Sequence, residues 1–317
     1  EQKVRMNTSF FQLRWQQLHH PALAQSGDEL WICHLDCQVQ AAAGNKWLKL
    51  KYHIRQIQQH GHQGIVTFGG AFSNHLAAVA AAGKALGFTT KAIVRAQVPD
   101  LTNPTLQQCV SDGMELIFVE PAIYRKRHEP QFLDTLQSQY PNFLIVPEGG
   151  TGEFTLPGFA DLNFAQTPIG KANLIVCAAA SGGTVAGIAY QQSLDTSPCP
   201  ILAVQVVKDA SLPVKIDRLC PGLSKYWQLM PDISGQKYGS FDQATLDFCL
   251  EMAHHGAAVE PLYSGKALRS LFWYLQQHPS SVERRITFFH TGGMQGLKGL
   301  RYRNMINDEQ FRILSSS

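Results

Sequence analysis

Four apolar runs in this chain stop on a pair of adjacent glycines: GIVTFGG (64–70), FLIVPEGG (143–150), NLIVCAAASGG (173–183) and RITFFHTGG (285–293). Helix-like sequence follows each of them. Near-continuous apolar runs such as NLIVCAAA and ILAVQVV (201–207) mark parallel strands covered on both faces. TTKAIVRAQ (89–97) and MELIFVE (114–120) add two more strands. Helical patterns lie between them. NHLAAVAAAGKALG (74–87) stops on Gly87, NPTLQQCVSDG (103–113) has Pro near its start and Gly at its end, and TVAGIAYQQSL (184–194) follows the third glycine pair. Strand, turn and helix in series predict an α/β protein of two doubly wound three-layer α/β/α domains. The expected division is a smaller domain over 53–160 and a larger, phosphate-binding domain over 1–52 plus 161–317. In such sheets ligands sit beyond the carboxyl ends of the strands, where glycines let the backbone approach them. Four glycine pairs at strand ends therefore predict a ligand cleft between the domains.

Composition narrows the function. Apolar residues make up 44% of the 317 and charged residues 16%, enough for a sizeable core. A net charge of +3, with no basic stripe, argues against a nucleic-acid partner. No apolar run is long enough to span a bilayer. The start, EQKVRMNTSFFQLRW, lacks the apolar core of a signal peptide, so a cytoplasmic setting is expected. Seven scattered cysteines read as reduced thiols. Only Cys33 and Cys37, in CHLDC, lie close together, and a zinc site would need a second tight pair. No metal is expected. The histidine pairs His19-His20, His60/His62 and His254-His255 read as solvated surface.

AAAGNKWLKLKY (41–52) carries the reactive candidate. Lys46 stands where a helix begins, and the positive end of the helix dipole disfavours a cation there. That position suits an amine that must be kept neutral and nucleophilic. Lys51 reads as part of a solvated helix face. AASGGTVAG (179–187) runs from a strand into a helix through Ser181, Gly182, Gly183 and Thr184. Backbone N–H groups and the helix dipole would hold a phosphate there. No Lys or Arg lies inside the loop, so it is not a P-loop. It is a poor dinucleotide fingerprint too, although Asp209 after the next strand keeps a nicotinamide-dependent oxidoreductase open as an alternative. A loop holding phosphate without a charged side chain suits a cofactor anchored elsewhere, as by a Schiff base to lysine.

GNKWLK (44–49), GGAFSNH (69–75), PEGGT (147–151), ASGGTVAG (180–187), EPLYSGKA (260–267) and HTGG (290–293) occur in that order. As a set, from about Gly44 to Leu297, they resemble the pyridoxal-phosphate (PLP) enzymes of the 1-aminocyclopropane-1-carboxylate deaminase and D-cysteine desulfhydrase family. That family has the tryptophan-synthase-β-like fold, known as fold type II. The resemblance implies a PLP-dependent lyase acting on a small amino acid, and a homodimer. It implies that Lys46 holds the cofactor and moves the proton, with Ser73 and Tyr263 as its catalytic partners. Asn74 would meet the cofactor's phenolic oxygen. Ser181, Gly182, Gly183 and Thr184 would hold its phosphate, and Thr291 would lie at the pyridine nitrogen. Ser73, Asn74, His75, Tyr238 and Tyr263 would contact substrate. Ser73 is also a natural cap for the Ala-rich helix. Lys49 matches a second lysine of the family and is a candidate cationic neighbour for Lys46. Phe72, Ala180, Trp47 and Leu48 depart from the family's pattern.

Two further positions bear on the reaction. By the same resemblance, deaminase members carry Glu after the tyrosine and Leu before the last glycine pair. This chain has Ser264 and Thr291. A hydroxyl cannot fix a full positive charge on the pyridine nitrogen as a carboxylate does. That favours α-proton removal with loss of a good β-leaving group, as in D-cysteine desulfhydration to pyruvate, ammonia and sulfide. Ring opening of the cyclopropane amino acid to 2-oxobutanoate and ammonia is the alternative, and racemisation stays open.

Overall fold

The computed structural model describes residues 11–37, 44–152, 154–235 and 237–316. Twelve strands are seen among them: β1 (Phe11–Leu18), β2 (Asp28–Cys37), β3 (Gly64–Gly70), β4 (Thr89–Arg95), β5 (Met114–Val119), β6 (Phe143–Ile145), β7 (Gln166–Thr167), β8 (Gly170–Lys171), β9 (Leu174–Ala179), β10 (Ile201–Gln205), β11 (Trp227–Pro231) and β12 (Arg284–His290). β5-β4-β3-β6 form one all-parallel sheet. A second sheet has the order β1-β2-β12-β9-β10-β11 and is parallel except at its β1–β2 edge. β7 and β8 make a small separate hairpin. The protein is thus a mixed α/β molecule of the expected class.

Side chains on these strands alternate between two cores, as the period of two requires. On β9, Ile175, Cys177 and Ala179 enter one cluster, while Val176 and Ala178 enter another. On β10, Ile201 and Ala203 split from Leu202 and Val204 in the same way. The first cluster is shared by both sheets. It contains Trp47, Leu48, Leu50 and Ile54 of helix Lys46–His60, Leu76 and Val79 of helix Asn74–Leu86, and Val185 and Ile188 of helix Gly183–Ser193. The outer face of the large sheet is covered by helices Gln243–His254 and Ser264–Gln277. Tyr124 and Leu136 cover the outer face of the small one. Trp47, one of the departures from the family pattern, is fully buried in the shared core.

Both sheets reverse their winding at one place. In the small sheet the chain runs outward through β3, β4 and β5, then returns to β6 on the other side of β3. In the large sheet it runs through β9, β10 and β11, then returns to β12 beside β9. The loops leaving strands on either side of a reversal diverge and leave a crevice at their carboxyl ends. Gly69-Gly70 close β3 itself, and Gly149-Gly150, Gly182-Gly183 and Gly292-Gly293 lie in the loops after β6, β9 and β12, so the glycine pairs coincide with the two switch points.

Candidate active site

The turn at Gly44 ties the lysine helix to the large sheet. Gly44 has φ +118° and bridges to Gly292, and the Asn45 N–H donates to the Thr291 carbonyl at 3.2 Å. A Cβ at Gly44 would lie 2.6 Å from that carbonyl oxygen, so the close approach requires glycine. Asn45 occupies the cap position of helix Lys46–His60 without a side-chain capping bond. Its Nδ2 donates instead to Thr184 Oγ1 at 2.7 Å, joining the lysine turn to the Ser181–Thr184 loop. Lys46 is the first residue of the helix, and no acidic residue follows in the first turn. Burial lowers its pKa to about 8, against the opposing pull of Glu148. Its Nζ reaches across to Gly149 on the small-sheet side, 3.9 Å from the position a Cβ there would take.

Lys49, one turn on, is only 1% exposed. Its Nζ lies 3.3 Å from both Thr151 Oγ1 and Ser181 Oγ, which are themselves 3.1 Å apart. A Cβ added at Gly183 would come within 3.0 Å of that ammonium and 2.9 Å of Thr151 Oγ1. The loop therefore holds a cradle of two hydroxyls, one lysine, free backbone at two glycines and the start of an 11-residue helix. Such a donor set fits the phosphate of PLP. The loop itself carries no charged side chain, as its sequence shows, and the charge comes from Lys49 on another element. Burial, then the charge of Lys46, push the Lys49 pKa well below its usual value. The expectation for Lys51 is corrected. It is buried rather than solvated, and its Nζ lies 2.7 Å from Asp161.

On the small-sheet side, Ser73 caps helix Asn74–Leu86, accepting the Leu76 N–H at 3.3 Å. Asn74 extends toward the loop after β12, its Nδ2 3.3 Å from where a Gly293 Cβ would stand. Among the described residues its amide has no hydrogen-bond partner. His75 is turned inward and is 2% exposed. Its Nε2 lies 2.7 Å from Thr67 Oγ1, which donates to the Val146 carbonyl at 2.8 Å. Thr67 is thereby left to accept, so His75 Nε2 carries the proton. The ring braces the β3 and β6 loops against each other and does not reach the cleft surface.

Ser264 Oγ and Thr291 Oγ1 lie 3.4 Å apart, so the two positions expected to bear on the reaction meet in space. Glu260, in EPLYSGKA, has no role readable from the sequence. It is 3% exposed and accepts the N–H groups of Leu262, Tyr263 and Ser264 at 2.6–3.1 Å, capping helix Ser264–Gln277. Burial raises its pKa to about 7, against those three donors. The Tyr263 ring packs 6.4 Å from that of Tyr238, which is 69% exposed at the cleft rim. Burial, then Tyr238, raise the Tyr263 phenol well above its usual range. His290 accepts the Gly292 N–H on Nδ1 at 3.0 Å, and its Nε2 is 3.0 Å from the Ala258 carbonyl, which fixes the last glycine turn.

Two other readings are settled by geometry. Asp209, the ribose ligand of the dinucleotide alternative, is committed to Ser211 and to Lys215 at 2.6 Å. His20, Glu251 and His255 come together, against the expectation of separate solvated histidines. However, His20 Nδ1 accepts the Ala22 N–H and its Nε2 faces Glu251 at 3.0 Å. His20 is thus held by a backbone N–H on one side of its ring and by Glu251 on the other.

The model for a pyridoxal-phosphate dependent enzyme matches residues 13–292. The bifunctional D-cysteine desulfhydrase/1-aminocyclopropane-1-carboxylate deaminase of Arabidopsis thaliana is 28% identical over 298 residues, 86% of this chain and 74% of that protein. A D-cysteine desulfhydrase of Yersinia enterocolitica is 26% identical over 291 residues, 86% of this chain and 88% of that one. The crystal structure of an ACC deaminase homologue superposes with a TM-score of 0.75 at 20% identity, over 92% of this chain and 93% of the other. No helix among the described residues is long and apolar enough to cross a membrane. With Lys46 facing the glycine loops, an anion cradle one turn away and the match over most of its length, the chain belongs to the pyridoxal-phosphate dependent enzyme family.

Proposed function

We propose that this enzyme carries out β-elimination on a small D-amino acid, D-cysteine above all, to give pyruvate, ammonia and sulfide. The observation that carries the choice is the hydroxyl pair of Ser264 and Thr291, 3.4 Å apart. By resemblance to the family, these two positions face the pyridine nitrogen. The one carboxylate seen beside them in sequence, Glu260, is committed to three backbone N–H groups. When bound, PLP withdraws electrons from the substrate's α-carbon. Neutral hydroxyls support a moderate withdrawal, which suffices when an α-proton is there to remove and sulfide can leave. The cyclopropane substrate has no α-proton and needs more.

In this reading Lys46 holds the cofactor and takes the α-proton on its Nζ. Ser181, Gly182, Gly183, Thr184, Thr151 and Lys49 hold the phosphate. Asn74, whose amide has no hydrogen-bond partner among the described residues, takes the phenolic oxygen. Ser73 and the helix start behind it take the substrate carboxylate. Tyr263, with Tyr238 at the rim, bounds the pocket. His75 acts as a positioning group. Homodimerisation, a cytoplasmic setting and the division into units 53–160 and 1–52 plus 161–317 belong to the same proposal.

D-Cysteine and the cyclopropane amino acid, supplied separately to the holoenzyme, test it. Sulfide from the first and no 2-oxobutanoate from the second is the expected result. Turnover of the cyclopropane compound alone would overturn the assignment. The lowered pKa of Lys46 makes a second, independent expectation. The neutral amine attacks the aldehyde, so PLP uptake by the apo chain rises about tenfold per pH unit below 8 and levels off above it. Stopped-flow absorbance between pH 6 and 10 reads this directly, and a midpoint near 10 would mean the amine is hydrated.

A further inference from the structure

Arg303 is half-buried at the mouth of the cleft and holds no carboxylate among the described residues. Four of the five other half-buried arginines among the described residues are paired: Arg127 with Glu148, Arg269 with Asp242, Arg284 with Asp28 and Arg285 with Glu29, while Arg55 lies over the ring of Tyr52, its neighbour on the same helix. Arg303 is instead held by its neutral parts. Its guanidinium stacks over the Phe72 ring, 4.3 Å from the centroid, and its Nε donates to the Gly299 carbonyl at 3.2 Å. Stacking and one backbone bond fix the plane of the fork and leave its terminal N–H groups without an acceptor among the described residues. Burial lowers its pKa, and the side chains that oppose this are the phenols of Tyr263 and Tyr238. Phe72 immediately precedes Ser73. An oriented guanidinium and two phenolic O–H groups therefore stand beside the turn that takes the substrate's own carboxylate.

A partly desolvated cation without a counter-ion is costly unless a ligand supplies the anion. We propose that Arg303, with Tyr263 and Tyr238, selects an amino acid whose β-substituent ends in a negative charge. This rests on the substrate end of the cleft lying at Ser73 and Tyr263, as in the reading above. The phosphate cradle at Lys49 and Ser181 belongs to the cofactor and is a separate anion site. A β-substituent carrying an oxyanion would receive a planar pair of N–H donors from Arg303, which a lysine cannot reproduce. Elimination from such a substrate balances without an oxidant or reductant. With O-phospho-D-serine, the α-proton passes to Lys46 and the Cβ–O bond breaks, its electron pair leaving on phosphate. One water then converts the enamine product to pyruvate and ammonia.

The binding test uses the holoenzyme and two near-isosteric ligands without a leaving group, D-aspartate and D-asparagine, titrated by calorimetry. Wild-type protein is expected to bind D-aspartate at least about tenfold more tightly than D-asparagine, as a charge-assisted pair would give. Arg303→Gln abolishes that preference, and Arg303→Lys keeps part of it. Equal binding of the two ligands by the wild type, including no binding of either, overturns the proposal. So does a preference that survives Arg303→Gln, or an equal loss for both ligands, which would make Arg303 only a brace for Phe72. Sulfide release from D-cysteine is read on the same samples. Its absence while the aspartate preference stands would sink the desulfhydrase reading and leave the assignment of Arg303 intact.

Discussion

Lys46→Ala lowers sulfide release from D-cysteine by at least about 10³-fold, because it removes both the covalent attachment and the proton carrier. Borohydride treatment of the wild-type holoenzyme followed by mass spectrometry leaves the cofactor fixed to the peptide bearing residue 46, and the variant shows no such adduct. The size of the effect follows from the site's construction. Lys46 is placed by Asn45 and Gly44 against the large sheet, and its amine is kept near pKa 8 by burial. Neither of the next lysines on the helix is free to substitute: Lys49 is held at Thr151 and Ser181, and Lys51 at Asp161. Activity within about tenfold of wild type would show that the proton is carried elsewhere.

Lys49→Met is expected to act in opposite directions on the two forms of the protein. Hydrogen bonds to a charged group contribute about 1.5–3 kcal/mol, so PLP binding weakens by about 10- to 100-fold, measurable by equilibrium dialysis. Without cofactor the same ammonium is buried with two hydroxyls and no carboxylate partner, and its removal raises the melting temperature of the apo chain. The sign with pH is fixed by the direction of the shift. The folded pKa of Lys49 lies below its unfolded value, so between the two the unfolded chain binds more protons. Apo stability therefore rises with pH in that interval, and the cost of holding the amine is greatest below it. Lys46 adds to this slope between about 8 and its unfolded value. Lys49→Met flattens the slope without abolishing it. An apo melting temperature unchanged by the substitution at neutral pH would mean that the ammonium is solvated.

The strands covered on both faces were legible because burial on two sides leaves little but apolar residues. NLIVCAA, ILAVQ and GIVTFGG are examples. β1 and β2 were not readable in the same way. FQLRWQQL and DELWICHLDC mix polar and apolar residues because they form the antiparallel edge of the large sheet, and the six-residue helix Pro21–Ser26 separates them. FLIVPEGG was read as one strand to 150, but pairing ends at Ile145. Lys46 and the Ser181–Thr184 loop stand out in the sequence because their signals are local, a lysine at a helix start and glycines at a strand end. The cradle's cation does not, since Lys49 and Ser181 are 132 residues apart and only packing joins them. Glu260 and Arg303 belong to the same class: a carboxylate capping its own helix and a guanidinium lying on Phe72 are facts of tertiary structure. Lys51 was misjudged because a single charge on a helix gives no sign of whether its counter-ion is water or Asp161.

The hydrogen bonds that anchor Gly44 and Asn45 run to the large sheet's loops, while the tip of the Lys46 side chain ends beside Gly149, in a loop of the small one. Root and tip thus belong to opposite walls of the crevice, and the side chain works as a feeler gauge between them. Any widening of the gap draws the amine away from Gly149 toward water and restores its basicity. Its nucleophilic readiness therefore reports on how closely the two walls are set.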